Sequence, residues 1–171
     1  MKKFALIVAI ILISGVISGQ TEKIPPKPDN VTVVTDKTTP NAETETGTLI
    51  VMVRGFKSTD GQLMVALFNG PSNFPDKTPY KGTYVEISAN EEVIKFENLP
   101  YGDYAVSVLH DLNNDGKMDK NVLGIPTDGY GFSNNVMDKY GPPTFLQASF
   151  VFNNKDEARV IDLEYGIPKA K

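Results

Sequence analysis

From Gly47 onwards, hydrophobic and polar residues alternate in short stretches. A period of two places successive side chains on opposite faces of a strand, and the β-branched and aromatic residues here favour that conformation. Turn residues separate the stretches, as at Asp60-Gly61, a pair typical of hairpins. Seven strands are therefore predicted, over 48–56, 62–68, 83–88, 93–97, 103–110, 148–152 and 159–165.

The predicted fold class is all-β, because two packed antiparallel sheets are the natural way to bury seven such strands. We expect an antiparallel β-sandwich of immunoglobulin-like or prealbumin-like type over residues 47–168. A long irregular loop, 121–147, precedes the last two strands and shows no strand pattern. Tyr104 follows a Leu-Pro-x-Gly turn and is predicted to be a corner tyrosine, whose hydroxyl bonds back to that turn.

The first 46 residues follow a different pattern. Lys2 and Lys3 precede ten apolar residues, Phe4 to Ile13, and small residues then lead to Gly19. This predicts a signal peptide over 1–19. The alternative is a membrane anchor, but the run is shorter than the roughly 20 residues that span a bilayer comfortably. Residues 20–46 hold four prolines, seven threonines and no aromatic residue, which predicts a disordered linker.

Composition narrows the chemistry further. The chain has no cysteine and one histidine, which excludes a disulfide scaffold, a cysteine nucleophile, a lipid anchor on cysteine and a zinc site of three histidines. The net charge of −4 argues against a nucleic-acid partner. We expect a periplasmic or secreted protein without a membrane span after signal cleavage. Its ligand or envelope partner and its oligomeric state stay open.

One segment, 111–119, has the spacing of an EF-hand-type calcium loop. Oxygen-bearing side chains occupy loop positions 1, 3, 5 and 9, glycine occupies position 6, and the carbonyl of position 7 is a further ligand. Calcium prefers six to eight oxygens, and a tight turn brings alternate side chains together. The predicted metal ligands are Asp111, Asn113, Asp115, Lys117 and Asp119.

The alternative is that this segment is a turn that binds no ion, and two features keep that alternative open. Position 12 is Val122, where an EF-hand has a bidentate glutamate, and the loop follows a strand instead of a helix. Asn, Asp and Gly favour turns in any case. A site here would need a further ligand or more water, so its affinity for calcium should be weak. Magnesium fits less well because it requires stricter octahedral geometry.

His110 and a set of aromatic residues each allow two interpretations. His110 either takes part in catalysis or ends its strand and orients the neighbouring loop. Adjacent strand residues point to opposite faces, so a pairing of His110 with Asp111 is disfavoured. In the 121–147 loop, Tyr130, Phe132 and Tyr140 either form a ligand surface or plug the open end of the sandwich.

Four motifs together resemble the uncharacterised bacterial family called domain of unknown function 2141. They are Leu-Pro-x-Gly-x-Tyr at 99–104, His-Asp-x-Asn-x-Asp-Gly-Lys-x-Asp at 110–119, Leu-Gly-Ile-Pro-Thr-x-Gly-Tyr-Gly-Phe-Ser-Asn at 123–134 and Gly-Pro-Pro-x-Phe at 141–145. The resemblance covers roughly residues 48–165. It implies an exported β-sandwich domain and no known reaction.

The preferred functional interpretation is a non-enzymatic exported module with a calcium-binding loop, in a binding or envelope-structural role. We assign it no catalytic or organic-cofactor residues. One alternative is an exported hydrolase acting on a sugar or small ester, and another is a carbohydrate-binding or adhesion surface.

Overall fold

The computed structural model describes residues 45–138 and 141–167. Its nine strands, β1 to β9 in chain order, are Thr46–Arg54, Gln62–Phe68, Lys81–Glu86, Glu91–Pro100, Gly102–Asp111, Gly129–Phe132, Phe150–Phe152, Asp156–Asp162 and Glu164–Tyr165. A 3-10 helix, Ser133–Asn135, and one helical turn, α1 at Phe145–Ala148, complete the regular structure of this part. The all-β prediction is confirmed. The predicted signal peptide, 1–19, and residues 20–44 of the predicted linker lie outside the described residues.

The strands form two sheets. The smaller has the order β4-β1-β8, and the larger has the order β3-β2-β5-β6-β9, with β7 pairing the beginning of β5. All named pairs are antiparallel except β1 and β8, which are parallel. The prediction of purely antiparallel sheets was therefore wrong at this pair. After the turn that follows β7, β8 begins with Asp156 beside Thr48, near the start of β1. β1 and β8 therefore run in the same direction.

Two further strands raise the predicted number from seven to nine. β6 lies inside the segment predicted to be an irregular loop, and β9 is separated from β8 at Leu163. The sequence of β6 is Gly-Tyr-Gly-Phe, whose two glycines weaken the strand preference of its two aromatic residues. Pairing with β5 and β9 on its two sides forms this strand, through tertiary contacts rather than intrinsic propensity.

The main core lies between the sheets and follows from the period-two pattern. Alternate residues of β1 and β2 are buried, while the residues between them are partly exposed. The cluster they form draws on both sheets, and its fully buried members include Leu49, Val51, Val53, Leu63, Val65, Leu67, Leu99, Val106, Phe152 and Ile161. A second, smaller cluster joins Ala105, Tyr130, Phe132 and Ala148.

Tyr104 forms the predicted corner. Its hydroxyl donates a hydrogen bond of 2.9 Å to the carbonyl of Pro100, four residues earlier, across the turn between β4 and β5. The ring is buried against Phe152. Burial, and then the nearby Tyr80, raise the pKa of Tyr104 above its ordinary value, which keeps the hydroxyl protonated and able to donate.

We expect Tyr104→Phe to lower the free energy of unfolding by about 1 kcal/mol, because it removes the hydrogen bond from the buried tyrosine to the half-buried carbonyl of Pro100. Urea denaturation measures this loss. Tyr84→Phe is the matched control, since Tyr84 lies on β3 of the same sheet, two strands away from β5, and is largely exposed. Equal losses in the two variants would contradict the corner assignment.

Candidate functional site

The predicted calcium loop begins at the end of a central strand. Asp111 is the last residue of β5 and pairs with Gln62 of β2, while the preceding residue, His110, pairs with Gly129 of β6. Because β5 and β6 are antiparallel neighbours, the end of one lies beside the start of the other. The topology therefore brings the segment before β6, including Asp128, next to the acidic loop.

The carboxylate of Asp111 is buried and holds the loop by its backbone. One oxygen accepts from the N–H of Gly116 at 2.8 Å and from Gln62 Nε2 at 3.1 Å, and the other accepts from the N–H of Asp115 at 3.2 Å. Burial acts to raise the pKa of Asp111, but these donors, with Asn114, outweigh it and hold the pKa below its usual range. Asp111 is therefore ionised in the folded protein at neutral pH.

A second buried carboxylate, Asp128, is 1 % exposed and was not among the predicted ligands. One of its oxygens accepts from the N–H of Asp119 at 2.8 Å and the other from the N–H of Leu112 at 3.4 Å. Asp128 therefore ties the two ends of the 111–119 loop together. Its position directly before β6 is the signal that would have identified it, had β6 been recognised as a strand.

The remaining predicted ligands lie on the outer side of the loop. The side chain of Asn113 accepts from the N–H of Asp115 at 3.1 Å, and Asp115 accepts from the N–H of Lys117 at 2.8 Å. Each is an Asx-type turn that coils the backbone locally. Gly116 has a φ of +77°, so the sharp bend predicted at the sixth position is confirmed.

Like charges surround Asp119. Its pKa is raised, first by burial and then by the negative charges of Asp115, Asp128 and Asp111, with Lys117 acting in the opposite direction. At neutral pH the folded protein therefore holds this fourth charge at a cost in stability. A divalent cation beside the four carboxylates would offset the part of this cost that comes from repulsion.

In residues 45–138 and 141–167, no three His, Asp or Glu side chains form a group that could hold a metal ion as they stand. The amide of Asn113, another predicted ligand, is not oriented for binding an ion either. Asn113 Nδ2 donates to Asp119 Oδ2 at 2.8 Å, which directs an N–H, not an oxygen, towards Asp119. Binding an ion would replace this bond and turn the amide oxygen inwards. The exposed side chain of Asp115 can rotate without disturbing the core.

His110 bonds away from the acidic loop. Nε2 donates to the carbonyl of Asp60 at 2.7 Å, because a carbonyl can only accept, and Nδ1 lies 2.6 Å from the hydroxyl of Tyr165. In the neutral ring, Nδ1 therefore accepts from Tyr165. The ring is fully buried and both nitrogens have partners. His110 thus fixes the β1–β2 turn, and not the neighbouring acidic loop.

The predicted ligand surface is not exposed at the two positions that the structure describes. Tyr130 is 8 % and Phe132 is 5 % exposed, and both pack in the second cluster, where Phe74 lies 5.9 Å from Phe132 between ring centroids. The burial of these two rings corrects the prediction of a surface there and agrees with the alternative of a plug. Tyr140, the third predicted residue, lies outside the described residues.

Two clefts are present elsewhere. One, of about 490 Å³, lies between the edges of β3 and β4 and has Lys81 and Lys95 in its lining. The other, of about 420 Å³, lies beside the 69–80 segment. Neither is lined by a carboxylate or by His110. Among the described residues, none of the helices has the length and apolar character needed to cross a membrane.

Comparison with known protein families gave a match to the folded part of the chain. The profile of the family described as "Uncharacterized protein conserved in bacteria (DUF2141)" matches residues 51–160, which include the second half of β1, all of β2 to β7, the acidic loop and Asp128. Neither the curated proteins nor the solved structures gave a match.

Proposed function

The chain belongs to the bacterial family DUF2141, and we propose that residues 111–128 form a calcium-binding loop on an exported, non-enzymatic β-sandwich module. Its role would be in binding or in envelope structure. The observation that carries this proposal is the pair of buried carboxylates, Asp111 and Asp128, at neighbouring strand ends on either side of a loop with EF-hand-type spacing.

Asp128 supplies what the loop lacks by comparison with an EF-hand. Val122 occupies the twelfth position and has no oxygen in its side chain. Asp128 already bonds the N–H of Asp119 at the ninth position, so its carboxylate lies beside the loop. With Asp111, Asn113, Asp115, the carbonyl of Lys117 and Asp119, it brings the number of protein ligands to six, within the range that calcium prefers.

Weak affinity follows from the geometry. Each oxygen of Asp111 and Asp128 also accepts a backbone N–H, so these oxygens share their lone pairs between the loop and an ion. The bond between Asn113 and Asp119 must also break. We therefore place the dissociation constant for calcium at about 10⁻⁴–10⁻³ M, the range of extracellular modules.

The non-enzymatic part of the proposal is supported by the placement of His110, which is not available as a general base. This residue is the single histidine of the chain, and its two nitrogens are bonded in the core. A general base must reach the proton that it removes, and the ring is fully buried. Export is proposed from the apolar run at residues 4–13 and the two lysines before it.

The test is thermal unfolding of the chain in excess EGTA and in about 10 mM calcium. With the affinity above, the ion stabilises the fold by about 2 kcal/mol, which raises the midpoint by roughly 5–10 °C. We expect Asp128→Asn to abolish most of this rise, since the amide keeps one oxygen but loses the charge.

The matched control for Asp128→Asn is Asp156→Asn. Asp156 is an exposed residue at the start of β8. It pairs with Thr48 near the start of β1, away from the loop. This variant should keep the full calcium response. A wild-type midpoint that is the same in EGTA and in calcium would refute the proposal, as would an Asp128→Asn variant that responds like wild type.

A further inference from the structure

An apolar tip projects beside the acidic loop. Residues 120–126 form a small hairpin, closed by a bridge between Lys120 and Pro126. At its turn, Val122 is fully exposed and Leu123 is 78 % exposed. Single exposed apolar residues are ordinary on a protein surface. Two adjacent branched aliphatic side chains at the end of a hairpin are unfavourable in water, and burying them would be favourable.

The backbone of the tip satisfies its own hydrogen bonds. The side-chain oxygen of Asn121 accepts from the N–H of Leu123 at 2.9 Å and from that of Ile125 at 3.1 Å. The N–H of Gly124 bonds the carbonyl of Asn121, and the N–H of Asn121 bonds the carbonyl of Ile125. Four of the five amides of 121–125 therefore have partners inside the hairpin. This pairing lowers the cost of moving the turn out of water.

Both lysines and carboxylates lie near the tip, and they have opposite effects on binding to an anionic membrane. Lys117 and Lys120 lie in the acidic loop and at the base of the hairpin, where long cationic side chains can contact phosphate groups. The four carboxylates of Asp111, Asp115, Asp119 and Asp128 outnumber these two lysines, so the local charge is −2. A bound divalent cation would bring it to zero.

We infer that the 121–125 tip docks the protein on a phospholipid bilayer by inserting Val122 and Leu123 into the interface. We infer in addition that a divalent cation in the acidic loop permits this on an anionic surface by cancelling the local negative charge. This second part rests on the proposed calcium function, while the first rests on the tip alone.

The shape of the tip favours a bilayer over a protein partner. A stable protein interface buries about 800 Å² on each side and is anchored by aromatic or arginine side chains in pockets. Two aliphatic side chains on a convex turn provide neither the area nor the anchor. A lipid interface needs no matching shape, because acyl chains fill the space around whatever enters.

The absence of cysteine allows a direct test in the full chain. An environment-sensitive NBD fluorophore attached through Val122→Cys reports whether the tip leaves water. The control label, attached through Asn154→Cys, lies in the turn between β7 and β8, next to the start of β1 and at the other end of β5 from the loop. Because the readout is local, binding of vesicles by the apolar residues 4–13 does not imitate it.

With vesicles of phosphatidylcholine and phosphatidylglycerol in equal parts, calcium should shift the emission of the label at position 122 to the blue, and EGTA should reverse the shift. The label at position 154 should not respond. Adding Leu123→Ser should raise the lipid concentration at half-maximal signal by roughly tenfold or more, because it removes most of the inserted apolar surface.

Calcium titration calorimetry of the same protein without vesicles separates the two proposals. If calcium binds but the label at position 122 stays in water with these vesicles, membrane docking is overturned while the calcium loop stands, and a protein partner becomes the occupant to test. If no calcium binds and the label inserts equally in EGTA, the calcium function and its coupling are overturned while docking stands.

Discussion

Gly61→Ala is expected to lower the free energy of unfolding by about 4 kcal/mol. Gly61 has a φ of +75°, where a side chain costs about 1 kcal/mol, and a methyl group on it would lie 2.7 Å from Leu112 Cα and 2.8 Å from Asp111 C. These are backbone atoms at the junction between β5 and the acidic loop, so they cannot rotate away. Forced overpacking of this kind costs up to a further 3 kcal/mol.

Gly116→Ala separates the cost of the steric contact at Gly61 from the cost of the positive φ. Gly116 has nearly the same φ, +77°, but a methyl group there would meet no atom within 4 Å. This variant should therefore lose only about 1 kcal/mol. Urea denaturation in EGTA compares the two without any contribution from calcium. Similar losses in both variants would show that conformation alone matters and that the contact at Gly61 relaxes.

The second large effect is expected from Asp111→Ala, which should lower the free energy of unfolding by about 4 kcal/mol even in EGTA. The buried carboxylate accepts three hydrogen bonds, from Gln62, Asp115 and Gly116. Its removal leaves Gln62 Nε2 and the N–H of Gly116 without this acceptor, while the N–H of Asp115 keeps only its bond to Asn113. Asp115→Ala is the control, because that carboxylate is exposed. It should lose roughly 1 kcal/mol or less. A small effect of both variants would mean that the loop is not held through Asp111.

The effect of Asp111→Ala should depend on pH with a defined sign. The folded-state pKa of Asp111 is lower than in the unfolded chain, so its carboxylate contributes stability above the unfolded pKa. That contribution is lost as the pH falls through the folded pKa. The difference between wild type and the variant should therefore be full at neutral pH and shrink in acid. A difference that is constant from neutral pH into strong acid would contradict the pKa shift.

The strands that the sequence predicts best are those in which β-branched residues alternate with others. β1, β2 and β5 agree with their predicted bounds to within a few residues, because half-buried strands require this pattern. The parallel pairing of β1 and β8 could not be predicted in the same way. A strand's own alternation specifies which face is buried but not which strand lies beside it.

The candidate site was only partly predictable for the same reason. The local turns at Asn113, Asp115 and Gly116 arise from short-range hydrogen bonds, and their spacing in the sequence indicates them directly. Asp128 enters the site through the pairing of β6 with β5, and the glycine-rich sequence of β6 conceals that strand. Asp128 was thus missed in the sequence because the strand that follows it, β6, was missed.

The parallel pair of β1 and β8 also determines the order in which this protein can be assembled. Arg54 and Asp162 are partners in that pair and lie 108 residues apart in the chain. During synthesis from the N-terminus, β1 can pair with β4 early, but its other edge stays open until almost the whole domain has been made. Closing so long a loop is slow, and the nascent chain carries an unpaired apolar edge during that time, which is a risk of aggregation that a chaperone would reduce.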